Sequence, residues 1–363
     1  MKSYRFALAF TALLTALLLT GPSALSQESE PVSAAQMVEK WLTSAHADAA
    51  AEAFTHWDEE GEIPGSCATC HSGEGFRDFV AGDMSTPGVI DHPVETGGVV
   101  DCETCHNEAT EVLTTVTFPS GVQISDLGKS AICMTCHQGR TSAETVNMSV
   151  AELGDDEVNP DLGFVNVHYR AAAATQRGGE VHGGYEYAGK TYMGLFAHVP
   201  TAATCVDCHD PHALEVEVEL CVGCHQTDDP AAIRTSQTDF DGDGDMSEGI
   251  AAEIDMVHDA LRGAITAYSA EVSGIGAVYA SSYPYWFADT NGDGEAGEDE
   301  TVFPNSYKSW TPRLLKAAYN YHYVVEDPGA FAHNPHYVLQ ILYDSIEDLG
   351  QSVSVDMAAL TRP

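Results

Sequence analysis

The sequence predicts a mainly α-helical chain with short β-hairpins and long loops. Three observations predict it. Apolar residues recur at helical spacing in two stretches, one made by Ile254, Val257, Leu261, Ile265 and Tyr268, the other by Val338, Leu339, Ile341, Leu342, Ile346 and Leu349. Alternating, strand-like runs are short and broken by turn residues, as at Pro119-Ser120-Gly121. All ten cysteines fall in copies of one pentapeptide with no fixed period between them, so irregular loops rather than a solenoid must join them.

Taken in order, the opening MKSYRFALAFTALLTALLLTGPSALS puts Lys2 and Arg5 ahead of an apolar run and closes on Ala24-Leu25-Ser26. Residues 1–26 therefore read as a secretory signal peptide. No later segment approaches the roughly twenty consecutive apolar residues of a spanning helix. The mature chain is expected outside the cytoplasm, periplasmic or extracellular. Residues 34–57 are alanine-rich and read as a helix that carries His46. The run VLTTVTFPSGVQI reads as a β-hairpin, YEYAGKTY contains a second turn, and LEVEVEL is a short strand-like alternation. The last helix is expected to end at Gly350, with Asn334 as its cap and Pro335 at its first position.

Composition narrows the partners. Asp plus Glu number 55 against 15 Lys plus Arg, a net charge of −40, and the leader holds two of those bases and no acid. No basic patch is available to neutralise phosphates, which argues against nucleic acid. The charge suits cationic partners, divalent metals or a salty medium, and serves equally as a general solubility device.

The cysteines carry the sharpest signal. The five runs are Cys67-Ala-Thr-Cys70-His71, Cys102-Glu-Thr-Cys105-His106, Cys133-Met-Thr-Cys136-His137, Cys205-Val-Asp-Cys208-His209 and Cys221-Val-Gly-Cys224-His225. A lone Cys-x-x-Cys fits a zinc site, a dithiol or a disulfide. None of these explains a histidine directly after every second cysteine. That spacing is the attachment pattern of c-type haem, in which two thiols add to the vinyl groups as thioethers and the next imidazole binds the iron as its proximal ligand. Five covalent haems follow, about one per 67 mature residues. The expected architecture is a multihaem cytochrome c fold organised around those haems: a pentahaem domain over 27–227, then a haem-free, mostly helical region over 228–363 packed on it.

An electron-transfer haem takes a second axial ligand, whereas an open iron binds substrate. Eleven further histidines are available: His46, His56, His92, His168, His182, His198, His212, His258, His322, His333 and His336. Supply exceeds the demand for five. Pro211 can turn His212 towards a neighbouring haem, while His92 and His198 stand ten and seven residues before Cys102 and Cys205. Small residues beside His46 and after His168 permit close approach, and His333 sits just ahead of the last helix. His182 and His336 read as bland positions, and His56, His258 and His322 stay open.

The stretches SAHADAAAEAFTHWDEEGEIPGSCATCHS, NVHYRAAAATQRGGEVHGGYEYAGKTYMGLFAHVPTAATCVDCHDPH and DPGAFAHNPHYVLQILYDSI resemble the multihaem c-type cytochromes. That family includes periplasmic and extracellular electron carriers of metal- and sulfur-respiring bacteria, some of which polymerise into haem filaments. The resemblance covers most of residues 35–350 and is weakest over 228–310. It implies bis-histidine haems, with His46, His168, His198, His212 and His333 as the leading distal ligands and His92 as the runner-up. It also implies redox partners, a quinol-oxidising system and a downstream acceptor, and leaves room for self-assembly. Related nitrite and hydroxylamine enzymes often carry a lysine variant of the motif, and no Cys-x-x-Cys-Lys occurs here. An electron carrier is thus favoured over an enzyme with one open haem for nitrite, hydroxylamine or a sulfur oxyanion, and over a filament subunit.

Two acidic loops lie after the last motif. In DTNGDGEAGEDE, Asp289, Asn291, Asp293 and Glu300 occupy positions 1, 3, 5 and 12 of a calcium loop, with Gly294 at position 6 and Glu295 at 7. DFDGDGDMSEGI has Asp239, Asp241, Asp243 and Gly244 in place, but Ile250 stands where the last carboxylate belongs. A cation there would need Glu248 or Glu253 instead.

Overall fold

The computed structural model describes residues 32–82 and 84–363. The leader read from residues 1–26 lies outside the described residues. Helix α1 (Ala34–Leu42) starts at a capping box between Ser33 and Gln36. It does not continue to Trp57 as its alanine content suggests; helix returns only as the short α2 (Glu52–Thr55). The side chains between them explain the break. Thr43 and Ser44 donate their hydroxyls to the carbonyls of Lys40 and Trp41, both at 2.7 Å, and Asp48 accepts the Ala50 N–H at 3.1 Å. Such bonds offer the backbone an alternative to the helical ladder. His46 consequently sits in an irregular connector.

Every Cys-x-x-Cys-His run then falls on a short helical piece. The first lies on α3 (Gly65–His71), with α4 (Gly73–Ala81) packed against it. Gly75 makes that packing possible, because a Cβ there would lie 2.5 Å from the Ala68 carbonyl oxygen. The second lies on α5 (Cys102–Cys105), followed by α6 (Glu108–Val112); the third lies on α7 (Ser130–Cys136), followed by α8 (Ala143–Val150) and α9 (Ala172–Arg177). The fourth occupies a 3₁₀ turn, Cys205–Asp207, and the fifth α10 (Glu219–His225). A helical turn stacks residues three apart on one face, so the two thiols of a run point the same way.

Strands are few and short among the described residues. β1 (Glu62–Ile63) pairs antiparallel with β2 (Val94–Glu95), β3 (Val116–Thr117) with β4 (Gln123–Ile124), and β5 (Gly276–Tyr279) with β6 (Trp286–Asp289). β3 and β4 form the hairpin expected around Pro119-Ser120-Gly121, with Val116 opposite Ile124. LEVEVEL departs from its alternation: it makes one bridge, Val216 to His209, before α10 begins at Glu219. A strand needs a partner of its own length, and this segment finds only the end of the fourth motif.

The apolar core lies mostly in the second half of the chain. α11 (Ile250–Glu271) packs on α12 (Pro312–Val325) and α14 (Pro335–Leu349), burying Leu261, Ile265, Leu314, Leu342 and Leu349 completely. The predicted cap at the start of α14 is present, Asn334 accepting the Tyr337 N–H at 3.1 Å ahead of Pro335. Tyr319, Tyr323 and Tyr337 reach from α12 and α14 into a second core with Phe118, Met134, Val146 and Val167. The second core is therefore built from both halves of the chain. α13 (Ala330–His333), the single turn before α14, meets α9 and carries His333.

Candidate haem sites

Each of the five imidazoles that follow a cysteine pair stands opposite one imidazole from elsewhere in the chain. The ring centroids are 5.8 Å apart for His71 and His168, 6.2 Å for His106 and His212, and 6.2 Å for His137 and His46. They are 6.5 Å apart for His209 and His333, and 6.0 Å for His225 and His198. The stacked rings of His258 and Tyr321 stand closer, at 3.9 Å. An imidazole nitrogen binds a metal at about 2.0 Å and lies roughly 1.1 Å from its ring centre, so two rings on opposite sides of one metal stand about 6.3 Å apart. The five separations, 5.8 to 6.5 Å, bracket that span.

The thiols fit the same group. No disulfide is formed among the ten cysteines, and Cys70, Cys102, Cys208 and Cys224 are exposed. Unmodified cysteine is among the most buried residue types. Thiols left at the surface beside paired imidazoles suit a large apolar group bonded to them.

Local contacts aim several rings. His71 donates its Nδ1–H to the Ala53 carbonyl at 2.7 Å, and His333 donates its Nδ1–H to the Asp327 carboxylate. Since those partners can only accept, each ring keeps its Nε2 lone pair free for a metal. His168 sits at a φ of 65°, held by the Asn166 Oδ1 that accepts its N–H at 2.8 Å. The same oxygen accepts from His322 Nε2 at 3.0 Å, and Tyr279 donates its hydroxyl to His322 Nδ1 at 3.0 Å. Burial holds His322 neutral, its pKa pushed down to about 3. Asp210 accepts the N–H groups of His212 and Ala213, both at 2.8 Å, and pairs with Lys40 of α1. Burial likewise pushes His137 and His168 down to about 4, keeping them in the neutral form that binds metals.

The other six histidines have different partners. His56 bonds Glu52 at 2.9 Å, His182 bonds Glu186 at 2.9 Å, and His258 donates to the Tyr321 carbonyl at 2.9 Å. His92 lies with Ser85, Asp91 and Asp78, and His336 packs edge-on to Phe240. None of the six faces a motif imidazole among the described residues. Asn166, His322 and Asp327 are the residues that sequence reasoning did not single out as supports. No local pattern marks them, because their partners lie far away in the chain.

The motifs also touch one another. Cys136 donates to the Thr69 carbonyl at 3.6 Å, its thiol lies beside that of Cys70, and the Cys133 thiol lies beside that of Cys205. The third run thus borders both the first and the fourth.

The acidic loops curl as their glycines allow. Asp289, Asp293 and Glu300 converge, and Glu300 accepts the Thr290 N–H at 2.6 Å and the Asn291 N–H at 3.2 Å. Asn291 and Glu295 contribute to that loop through Asn291 Oδ1 accepting the Asp293 N–H and Glu295 N–H bonding Asp293. Asp239, Asp241 and Asp243 converge with Glu248 and Glu253 in two groups that share Asp241.

Cysteine pairs on helical turns, each followed by an imidazole that faces a second one, define a protein that carries covalently attached haem c. Residues 88–154, which hold the second and third runs, match the family of cytochrome c7 and related cytochrome c. Beyond that segment, the relatives that the chain matches are polyheme c-type cytochromes. It is similar to the C-type polyheme cytochrome OmcB of Geobacter sulfurreducens, in strains DL-1 / KN400 and ATCC 51573 / DSM 12127 / PCA. It is 28% identical to that protein over 367 residues, which cover 83% of this chain and 46% of the relative. The C-type polyheme cytochrome OmcC of the latter strain is 27% identical over 388 residues, covering 87% of this chain and 47% of the relative. The chain spans about half the length of these relatives. No solved structure matches it. Among the described residues no helix is long and apolar enough to cross a membrane.

Proposed function

We propose that the chain binds five haems, one at each Cys-x-x-Cys-His run, and relays electrons between redox partners outside the cytoplasm. The observation that carries this reading is the set of five imidazole pairs, each spaced to ligate one iron. His71, His106, His137, His209 and His225 are the proximal ligands, and His168, His212, His46, His333 and His198 respectively the distal ones. Haem c, when bound, supplies the one-electron chemistry. The polypeptide supplies attachment through its ten thiols, ring orientation at His71 and His333 through Ala53 and Asp327, backbone anchoring at His168 and His212 through Asn166 and Asp210, and burial that keeps His137 and His168 neutral. Two fixed imidazoles per iron leave little to rearrange when the charge changes, which suits a carrier.

A catalytic haem would need a motif imidazole with nothing opposite it. The full set of pairs therefore favours a carrier over a nitrite, hydroxylamine or sulfur-oxyanion enzyme. Each pair is also drawn from one chain, so no histidine from a neighbouring copy is needed, which weighs against a filament built on shared ligands. The third run, bordering the first and the fourth, is the centre of the relay. Residues 27–227 make up the haem-bearing part, while 228–363 form a haem-free buttress that returns His333. A quinol-oxidising system and a downstream acceptor are the partners this role requires.

The test is the low-temperature electron paramagnetic resonance spectrum of the oxidised protein, matured in a host that attaches haem c. Its intact mass should exceed the polypeptide by five haems, and every signal should be low-spin and unmoved by nitrite or cyanide. A high-spin signal that shifts with either ligand would move the enzyme reading to the front.

A further inference from the structure

The 239–248 loop runs directly into α11 and lies apart from the five cysteine runs in the sequence. Gly242 and Gly244 take φ of 80° and 88°, and Asp239 accepts their N–H groups at 2.6 and 2.9 Å. Asp241 belongs to two sets of converging carboxylates, one with Asp239 and Glu253, the other with Asp243 and Glu248. Within each set the ligand oxygens lie within 4.8 Å of one another.

A second observation lies inside the loop. Asp241 is 8% exposed, and its buried Oδ2 has no hydrogen-bond partner; Glu248 Oε1 is likewise buried and unpartnered. Anionic oxygens removed from water without a partner are costly. Arg234, which pairs with Glu253, is already engaged by the Ser236 and Thr238 carbonyls as well. The second loop makes no such demand, since Glu300 accepts from Thr290, Asn291 and Gly297 and no buried side-chain oxygen of Asp289, Asp293 or Glu300 lacks a partner.

We infer that the 239–248 loop is a calcium site in which Asp239, Asp241, Asp243 and Glu248 bind the ion and Glu253 braces the loop from behind. Glu248 replaces the twelfth-position carboxylate that Ile250 cannot supply. Calcium accepts an irregular shell of six to eight oxygens, whereas magnesium demands a tight octahedron and zinc prefers nitrogen and sulfur. The site fastens another part of the chain. The Phe240 carbonyl accepts the Thr361 N–H at 2.8 Å, and Gly242 packs so closely on Ala359 that a Cβ would lie 2.4 Å from its carbonyl oxygen. Arg362 in turn binds Asp344 of α14 at 2.9 Å. The ion would lock residues 359–362 between the loop and α14.

Isothermal titration of the haem-loaded protein with calcium chloride, after treatment with a chelator, tests this. Wild type should take up calcium, Asp241→Asn and Glu248→Gln should each weaken that step at least tenfold, and Asp289→Asn should leave it in place. Hydrogen exchange over residues 356–363 should slow on adding calcium to wild type and not to either of the first two variants. No uptake by wild type, equal uptake by all variants, loss only in Asp289→Asn, or equal affinity for magnesium would each overturn the assignment. Glu248, only partly buried, keeps the test open should Asp241→Asn misfold.

Discussion

His333 donates its Nδ1–H to both oxygens of the Asp327 carboxylate, at 2.8 and 2.9 Å, and Asp327 is itself buried. Among the ten paired imidazoles this is the one with a carboxylate on its second nitrogen within the described residues. A carboxylate there makes the ring a stronger donor and favours the more oxidised metal.

Asp327→Asn should therefore raise one midpoint potential and leave the other four where they are. A neutral acceptor in place of a charged one changes the interaction by about 1–2 kcal/mol, or roughly 40–90 mV for a one-electron couple. Spectropotentiometric titration of the full protein reads this directly. Unchanged potentials would mean that His333 is not an iron ligand or that Asp327 is compensated.

His212→Ala should convert one haem in five from low-spin to high-spin. His212 stands opposite His106 with the rings within 10° of parallel, and its loop is held by Asp210 rather than by its own ring. The fold should survive the truncation, so far-ultraviolet circular dichroism should not change while the paramagnetic spectrum does.

Glu326 sets a pH dependence. Burial raises its pKa to about 7, and the neighbouring Arg170 only partly offsets this. Because His322 is neutral, its 3.4 Å contact with Glu326 is no ion pair. A carboxyl that holds its proton more tightly when folded stabilises the fold below its unfolded pKa of about 4.3, and that contribution is lost as pH rises towards 7. Glu326→Gln should remove this slope, leaving the variant more stable than wild type at pH 8 by on the order of 2 kcal/mol. Urea melts of both proteins at pH 5 and pH 8 give the comparison, and parallel slopes would refute it.

Leu261→Ala should destabilise by about 2–5 kcal/mol without altering the haem spectrum. Leu261 is fully buried between α11 and its neighbours, in the core away from the cysteine runs. A spectral change of the same size as the loss of helix would indicate that this core and the haem sites unfold as one unit.

Much of the site is written in local patterns. The five cysteine runs are contiguous, and the five histidines singled out beside them are the ones that face the motif rings. Which ring faces which is a property of distant packing, so no local spacing carries it. The stripes of α11 and α14 and the Asn334 cap are equally local and equally readable. Alanine content predicts a longer N-terminal helix than forms, because three short polar side chains bind their own backbone instead. LEVEVEL alternates like a strand but makes a single bridge, because alternation guarantees no neighbour to pair with.

The partnerships of the rings also have an order along the chain. His46 reaches to 137, His71 to 168 and His106 to 212, so the second loop opens inside the first and closes outside it, and the third does the same to both. The spans from His198 to 225 and from His209 to 333 cross the end of the third in the same manner. The connectivity is that of a pseudoknot rather than of beads on a string. No cut between residues 46 and 333 leaves every pair intact, so no single break in the chain separates one group of pairs from the rest. A group bridging any one pair would cross-link a loop that overlaps the next, so the closure entropy of each loop would depend on its neighbours.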